Sequence, residues 1–320
     1  SRYKILSKLG GGGMGVVYLA EDADLGRKVA IKFLPESMAQ DASALARFRR
    51  EAEIFSYLDQ CVREDDAGDV YVPRLLRDID FRPAEGGSPS YLVMEFLPGL
   101  DMSDLIGSYL KISGQVDFVA WAIYNVKVAI ELLKILQYCH AKGVVHRDIK
   151  PGNIRLLFKG GTLSVSQIIT QAPRVRVLDF GLAKRLADSA AVGADPEAEL
   201  TKMDVMLGTP QYMAPEQMGS GTLHPSFDYY PVAVMLYRAL DGQVPFASLI
   251  KGSNYSNFYR AKLSQPVSEP ENRKIPRSLV EVLLKALALN SDDRYQDAEE
   301  MIRALLPFIE ENAYRDSEGQ

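Results

Sequence analysis

The sequence predicts an α+β fold of two lobes: a small antiparallel β-sheet lobe with one helix, then a larger, mainly helical lobe. Three observations support this division. Short strand-like segments come first along the chain, long amphipathic segments come later, and Pro98-Gly99 between them is a hinge signal. We therefore expect one lobe over residues 1–97 and the other over residues 98–320.

Composition and charge exclude several classes of protein. Of the 320 residues, 47% are apolar and 25% are charged, as in ordinary globular proteins. The net charge of −5 argues against non-specific nucleic-acid binding, which needs a basic surface. The longest apolar-rich run, residues 120–139, has a helical period and is interrupted by charged side chains. We expect no nucleic-acid partner, no membrane contact within these residues and, with only two cysteines, no disulfide framework.

The first lobe is predicted to consist of short strands and one amphipathic helix. Apolar residues at 45, 48, 52, 55 and 58 predict an amphipathic helix over residues 42–58. Loop signals dominate residues 59–90. The strand-like segments are residues 3–9, 16–21, 28–34, 70–72, 75–81 and 91–97.

The second lobe is predicted to be mainly helical. Residues 159–173 alternate in polarity and suggest an extended hairpin, and the small, acidic residues 188–200 suggest a mobile loop. Two further strands are expected at residues 154–158 and 174–178. The predicted helices are residues 118–142, 227–240, 278–289 and 298–310.

A glycine-rich turn lies between the first two predicted strands. Gly10, Gly12 and Gly15 with Val17 form the pattern G-x-G-x-x-G-x-V. Glycines without Cβ let backbone amides approach a polyphosphate closely, so these residues are candidates for binding phosphate. The pattern alone leaves open a flexible hairpin with no ligand.

An apolar strand and the following helix supply a candidate ion pair. Lys32 ends the run Val29-Ala30-Ile31-Lys32, where an unpaired ammonium group is costly to bury. Glu51 on the next helix is the proposed partner, because Glu53 points about 200° away round that helix. For either residue singly, a solvated surface position is the alternative.

The segment from His146 to Asn153 carries the residue types that phosphoryl transfer to a hydroxyl needs. Asp148 can accept the hydroxyl proton, Lys150 can neutralise charge on the moving phosphoryl group, and Asn153 can hold a Mg²⁺ ion. Asp179 follows a predicted strand and supplies a second carboxylate for metal. Together with Lys32 and Glu51, these four residues are the candidate catalytic and metal-binding set.

The order and spacing of these motifs, ending in Ala214-Pro215-Glu216, resemble those of the eukaryotic-type protein kinase family. The resemblance runs over residues 3–308 and is greatest to bacterial Ser/Thr kinases. It implies the two-lobed protein kinase fold, ATP with Mg²⁺ or Mn²⁺ as cofactors, and protein substrates bearing Ser or Thr. The implied reaction is transfer of the ATP γ-phosphate to a hydroxyl.

The resemblance also implies a role for each matched residue around the nucleotide. Lys32 would contact the α- and β-phosphates, Met94 would be the gatekeeper, and Asp101 would lie near the ribose. Phe180, His146 and Phe55 would form an apolar column. The residues assigned to ATP in this way are Gly10, Gly12, Gly15, Val17, Ala30, Lys32, Met94, Glu95, Leu97 and Asp101.

Other matched residues would have structural or regulatory roles. Asp228 would brace the backbone of the catalytic loop, the segment from His146 to Asn153. Arg294 would pair with Glu216, and Thr209 would bond Asp148 and Lys150. Lys150-Pro151 and Thr209 indicate Ser/Thr specificity. The structural residues expected from the resemblance are Arg147, Thr209, Glu216, Asp228 and Arg294.

Regulation is expected to involve autophosphorylation. Thr201 is the candidate phosphosite and Ser189 is the second choice, since a phosphate there could pair with Arg147. An ordinary loop threonine is the alternative. The resemblance further implies a kinase-domain homodimer and a cytoplasmic location, including the cytoplasmic domain of a membrane-anchored protein.

The sequence departs from the family pattern at several positions. Arg155 replaces an apolar residue beneath the adenine, where it would either cover the base with its stem or weaken nucleotide binding. Arg238 replaces a glutamate, which predicts no preference for arginine upstream of the target hydroxyl. Pro231 is expected in the first turn of its helix. Insertions within residues 59–90 and 159–173 are either surface decoration or a docking surface.

Two alternative functions share parts of this pattern. A pseudokinase would bind or scaffold with the same fold, but it would normally lack Lys32, Asp148, Asn153 or Asp179, and all four are present. A small-molecule kinase would lack the segment that ends at Glu216. A protein kinase is therefore the favoured interpretation.

Overall fold

A computed structural model describes residues 2–12, 15–35, 38, 41–64, 72–80, 90–161, 163–185, 210–218, 223–250 and 255–318. The chain divides into two compact units. One consists of Ser1–Pro98 with Arg176–Ala183, and the other of Gly99–Val175 with Lys184–Gln320. The sequence prediction placed residues 176–183 in the second lobe. They group with the first unit because Asp179 and Phe180 make their ion-pair and ring contacts with Lys32 and Phe55.

The first unit contains a five-stranded sheet with the order β1-β2-β3-β5-β4, and all the neighbouring pairs are antiparallel. The register places Lys32 of β3 beside Val17 of β2, and Ala30 beside Met94 of β5. The strands are β1 (Tyr3–Gly12), β2 (Gly15–Asp22), β3 (Arg27–Phe33), β4 (Leu75–Asp80) and β5 (Tyr91–Glu95).

Helix α1, Ala42–Glu64, supplies the second layer of this unit. Phe48 and Ala52 lie on its apolar stripe and pack with Leu34 and Leu92 from the sheet. All four side chains are at most 2% exposed, so burial of this stripe fixes the rotation of the helix. Glu51, next to Ala52, is thereby directed inwards and is 1% exposed.

The second unit is mainly helical. Its strands β6 and β8 pair antiparallel, with Asp101 opposite Arg155, and β7 pairs with β10. The helices are α2 (Met102–Ile112), α3 (Phe118–Ala141), α4 (Val165–Ile169), α5 (Ser226–Asp241), α6 (Ser256–Ser264), α7 (Arg277–Ala286) and α8 (Ala298–Leu305). The short strands are β6 (Leu100–Asp101), β7 (Val144–Val145), β8 (Ile154–Leu157), β9 (Arg174–Val177), which crosses the boundary between the units, and β10 (Lys184–Arg185).

Helix α3 is the centre of this unit and packs against α5 and α8. Asp117 caps its first turn by accepting hydrogen bonds from the Val119 and Ala120 amides, and the helix ends before Gly143, which has a φ of 74°. Trp121 is fully buried and donates through Nε1 to the Ala239 carbonyl of α5. Its burial contributes a few kcal/mol of apolar stabilisation, on the order of that for other large side chains.

Two local predictions were wrong. Residues 159–173 contain helix α4 rather than an extended hairpin, because Ser164 and Gln167 form a capping box that starts a helical turn. Helix α5 begins at Ser226, so Pro231 lies inside the helix and beyond its first turn. A proline there removes an intrahelical hydrogen bond.

The predicted class, a sheet lobe with one helix and a larger helical lobe, is confirmed. Among the described residues, no helix is both long enough and apolar enough to cross a bilayer. Cys61 and Cys139 are both buried free thiols.

Candidate active site

The glycine-rich turn closes a hairpin at the end of β1 and β2. Gly12 pairs with Gly15, and residues 13 and 14 between them lie outside the described residues. Gly15 has a φ of 143°, and a Cβ atom there would lie 2.6 Å from the Phe33 carbonyl oxygen of β3. Glycine is therefore required at this position by both backbone conformation and space. Gly10 has open space where a side chain would be.

Lys32 lies in a buried cluster of charged groups. Its Nζ atom is 2.8 and 2.7 Å from the two carboxylate oxygens of Glu51 and 3.0 Å from Oδ1 of Asp179. The Lys32 and Glu51 side chains are 6% and 2% exposed, whereas Asp179 is one-third exposed. One ammonium group thus contacts two carboxylates, and the cluster has a net charge of −1 when all three are ionised.

The protonation of this cluster follows from burial and charge. Burial alone disfavours the ammonium form of Lys32, but the Asp179 and Glu51 carboxylates outweigh it and raise the pKa of Lys32 above its ordinary value. Burial raises the pKa of Glu51 to about 7, against the attraction of Lys32. Lys32 is therefore charged at neutral pH.

The segment carrying Asp179 is held by an aromatic contact as well as by charge. Phe180 is fully buried, and its ring meets that of Phe55 on α1 edge to face, with the ring centroids 5.2 Å apart. Asp179 has a φ of 58°, in the left-handed region that non-glycine residues rarely adopt. The Asp179 carboxylate is thus positioned by a constrained backbone.

The catalytic loop of the second unit brings three candidate residues into contact. Lys150 Nζ lies 2.6 Å from Oδ2 of Asp148. The side-chain nitrogen Nδ2 of Asn153 donates to the same Oδ2 at 3.1 Å and to the Asp148 carbonyl at 2.8 Å. A carboxylate, an ammonium group and an amide therefore meet within one loop, as proton acceptance from a hydroxyl and charge neutralisation require.

Asp228 on α5 holds the backbone of this loop. Its carboxylate is fully buried and accepts hydrogen bonds from the backbone amides of His146 and Arg147, both at 2.8 Å. His140 Nε2 is 2.8 Å from the same carboxylate. Burial opposes ionisation, but the hydrogen bonds from the His140 side chain and the His146 backbone amide lower the pKa of Asp228 below its ordinary value. The carboxylate is therefore ionised at neutral pH.

Two buried side chains tie the segment from Pro210 to Met218 to its surroundings. Gln217 donates through Nε2 to the Arg147 carbonyl at 2.8 Å. Arg294 binds both Glu216 oxygens, at 2.8 and 2.9 Å, in a bidentate ion pair. The segment Pro210–Met218, which contains the Ala214-Pro215-Glu216 motif, is thus hydrogen-bonded directly to Arg147 of the catalytic loop.

The two departures at arginine positions both have partners. Arg155 Nη1 lies 2.9 Å from Asp101 Oδ1, so the arginine neutralises the residue that the family resemblance places near the ribose. Burial raises the pKa of Asp101 and Arg155 opposes this rise. Arg238 Nη1 donates to the Tyr212 hydroxyl, so its guanidinium group is held beside the segment before Glu216.

Several predicted residues lie outside the described part of the chain. Thr201, Ser189 and Thr209 belong to residues 186–209, and the predicted mobile loop 188–200 lies there too. Residues 65–71 and 81–89, within the predicted insertion region 59–90, are also outside. Among the described contacts, sequence reasoning missed that of His140 with Asp228 and that of Gln217 with Arg147. It also missed the hydrogen bonds of Lys262 to the Pro210 and Gln211 carbonyls. Gln217 follows the Ala-Pro-Glu motif directly, but nothing in its local sequence shows that it reaches Arg147.

The residues that would hold a metal ion fit its chemistry. Among the described residues, no group of three or more His, Cys, Asp or Glu side chains is arranged to bind a metal. Mg²⁺ is typically bound by one or two protein oxygens together with substrate phosphates, so such a group is not needed. Asp179 offers a carboxylate, and Asn153 keeps its amide oxygen for a cation because its nitrogen donates to Asp148.

Comparison with known proteins agrees with this arrangement. A model of the protein kinase domain family matches residues 3–305. The chain is 32% identical over 306 residues to a probable serine/threonine-protein kinase of Streptomyces coelicolor, covering 94% of this chain and 39% of that protein. It is 32% identical over 317 residues to serine/threonine-protein kinase PknB of Mycolicibacterium smegmatis, covering 98% and 44%. A probable PknB of Bifidobacterium longum is 31% identical over 312 residues, covering 96% and 40%.

The chain therefore belongs to the protein kinase family, as the motifs predicted. It spans about two fifths of the length of these curated relatives, which are bacterial proteins named as serine/threonine kinases.

Proposed function

We propose that this chain transfers the γ-phosphate of ATP to Ser or Thr hydroxyls of proteins. The observation that carries the proposal is the catalytic loop, where Asp148 contacts Lys150 and Asn153 and where Asp228 holds the backbone. The names of the bacterial relatives support the Ser/Thr class.

The chemistry divides between residues of the two units. Asp148 accepts the proton of the attacking hydroxyl, and Lys150 neutralises charge on the phosphoryl group. Lys32, kept charged by Glu51 and Asp179, binds the α- and β-phosphates. A divalent cation, when bound, neutralises charge on the ATP phosphates. Asn153 and Asp179 would hold it, and either Mg²⁺ or Mn²⁺ suits an amide and a carboxylate oxygen.

The direct test measures transfer of labelled γ-phosphate from ATP to dephosphorylated casein, with Mg²⁺ or Mn²⁺ in parallel reactions. Phosphoamino-acid analysis should find phosphoserine and phosphothreonine, and the label should be lost with Asp148→Asn. Absence of label with either metal, or label on tyrosine alone, would contradict the proposal.

A nucleotide-binding module without catalysis is the second candidate. It is favoured by one observation, the Arg155–Asp101 ion pair, which occupies a carboxylate that the resemblance assigns to the ribose. Thermal stabilisation by ATP and Mg²⁺ without phosphate transfer would identify this function. Stabilisation together with transfer would identify the kinase.

The proposal extends to regulation and location. Autophosphorylation at Thr201 or Ser189, in a homodimer of the kinase domain and in the cytoplasm where ATP is made, follows from the family resemblance. Intact-mass spectrometry before and after addition of ATP should show added phosphates, and Thr201→Ala should remove one of them.

A further inference from the structure

The backbone of Arg147, directly before Asp148, is strained and is held on both sides. Arg147 has a φ of 67°, in the left-handed region that is unfavourable for a non-glycine residue. Its N–H donates to Asp228 Oδ1 at 2.8 Å, and its carbonyl accepts from Gln217 Nε2 at 2.8 Å. Two buried side chains therefore fix the conformation that directs the next residue, Asp148.

Gln217 is well placed to act as one of these two restraints. It is 6% exposed and lies on the short 3-10 helix Pro215–Met218. Its Oε1 atom accepts from the Ala214 backbone N–H at 3.3 Å. Exchanging the Gln217 side-chain oxygen and nitrogen would place two donors together at Ala214 and two acceptors together at Arg147. The side chain is therefore fixed as a donor to Arg147.

Lys262 holds the start of the same segment. It lies on α6, is 2% exposed, and donates through Nζ to the carbonyls of Pro210 and Gln211 at 3.0 and 2.9 Å. The ammonium group also lies over the rings of Tyr230 and Phe258, at 5.1 and 5.4 Å.

Burying an ammonium group in order to bind two carbonyl oxygens costs desolvation free energy. In the described part of the chain, Lys262 forms no ion pair with a carboxylate, and its Nζ donates to these two carbonyls instead. Burial and the Arg294 charge lower the pKa of Lys262 to about 7, while Glu216 opposes them. An apolar side chain would pack against the Tyr230 and Phe258 rings without this cost, so the two hydrogen bonds are the feature that the lysine supplies.

We propose that Gln217 and Lys262 are positioning residues, which together fasten the segment Pro210–Met218 between α6 and the catalytic loop and so keep Asp148 in its reactive position. Lys262 fixes the beginning of the segment and Gln217 transmits its position to the strained Arg147 backbone. The inference rests on the proposed role of Asp148 in phosphoryl transfer.

The test uses Gln217→Met and Lys262→Met, which keep side-chain volume and remove the donors. We expect kcat for casein to fall about tenfold in each, the equivalent of a small displacement of a reacting group. The KM for ATP should stay within twofold of the parent value. Because both residues act through one segment, the double variant should lose less than the product of the two single losses.

Matched controls separate this role from ordinary stability. Gln115→Met changes an exposed glutamine and Lys285→Met a surface lysine on α7, and both should keep the parent kcat. Circular dichroism at the assay temperature must show each variant folded. If Lys262→Met does not fold, Lys262→Gln replaces it: the amide keeps a donor without charge, and kcat should fall about threefold.

A folded Gln217→Met or a folded Lys262 variant with the parent kcat would overturn the inference, even if its melting temperature had fallen. Fully multiplicative losses in the double variant would also overturn it. Absence of casein phosphorylation by the parent chain would instead contradict the proposed function, so the two failures are distinguishable.

Discussion

The two units position their candidate reactive groups by different physical means. In the first unit, Lys32 is held by opposite charges, since Glu51 and Asp179 both contact its ammonium group. In the second unit, Asp148 follows a backbone that Asp228 and Gln217 hold through hydrogen bonds to Arg147. Charge pairing fixes the ionisation of Lys32, whereas backbone restraint fixes the direction of Asp148. The first arrangement should be sensitive to loss of charge, and the second to loss of geometry.

The largest expected effect comes from removing the carboxylate of the second unit. Asp148→Asn keeps the shape of the side chain but cannot accept a proton, so kcat should fall about thousandfold. Steady-state phosphorylation of casein measures this. Asp104→Asn, an exposed aspartate on α2, serves as the control and should keep the parent rate. A loss of less than tenfold for Asp148→Asn would contradict its role as the base.

The charge cluster of the first unit is tested by Lys32→Met. Loss of the ammonium group should lower kcat/KM for ATP about hundredfold, because positive charge beside the phosphates is lost. The exposed Lys28→Met on the same strand should change the rate less than twofold. Equal rates for the Lys32 and Lys28 variants would show that the cluster has no part in nucleotide use.

Backbone restraint in the second unit is tested by Asp228→Ala. The change leaves the amides of His146 and Arg147 without their buried acceptor, so the free energy of unfolding should fall by about 3 kcal/mol. Urea denaturation followed by circular dichroism gives the value. Asp292→Ala, at an exposed position, should stay within about 0.5 kcal/mol of the parent. A similar small change for Asp228→Ala would mean that the loop does not depend on it.

The lowered pKa of Lys262 predicts how the free energy of unfolding changes with pH. Its pKa is lowered to about 7 in the folded chain, below its value of 10.5 when exposed. The unfolded state therefore binds more protons between these values, so this residue makes stability rise with pH above 7, by at most about 1.4 kcal/mol per pH unit. Urea denaturation at several pH values from 6 to 9 should show a flatter curve for Lys262→Met. Parallel curves would contradict the lowered pKa.

The smallest effect is expected at the partly exposed pair Arg155–Asp101. Arg155→Leu should change the free energy of unfolding by less than about 1 kcal/mol, because solvent screens the pair. If Arg155 competes with the ribose hydroxyls of ATP for Asp101, Arg155→Leu should lower the KM for ATP. The KM for 2′,3′-dideoxy-ATP, which lacks these hydroxyls, should fall about threefold less. An unchanged ratio of the two KM values would separate the ion pair from nucleotide recognition.

Much of the fold and of the candidate site could be predicted from local sequence. The apolar run Val29-Ala30-Ile31 of β3 placed Lys32 where a partner is needed, and the angle between residues 51 and 53 round α1 selected Glu51 as that partner. Helix α3 was predicted to within a residue of its end because Gly143 stops it. The hairpin predicted at residues 159–173 was wrong because alternation over a few residues did not outweigh the capping box of Ser164 and Gln167.

The sequence by itself determined the class of the chain, because the order and spacing of the glycine-rich turn, Lys32, Asp148, Asn153 and Asp179 are written in it. Only the tertiary structure decided which distant residues meet. Asp179 joins Lys32 across 147 positions, and Gln217 reaches the Arg147 carbonyl across 70. A local pattern cannot show such contacts, because they depend on how helices and loops pack after the chain has folded.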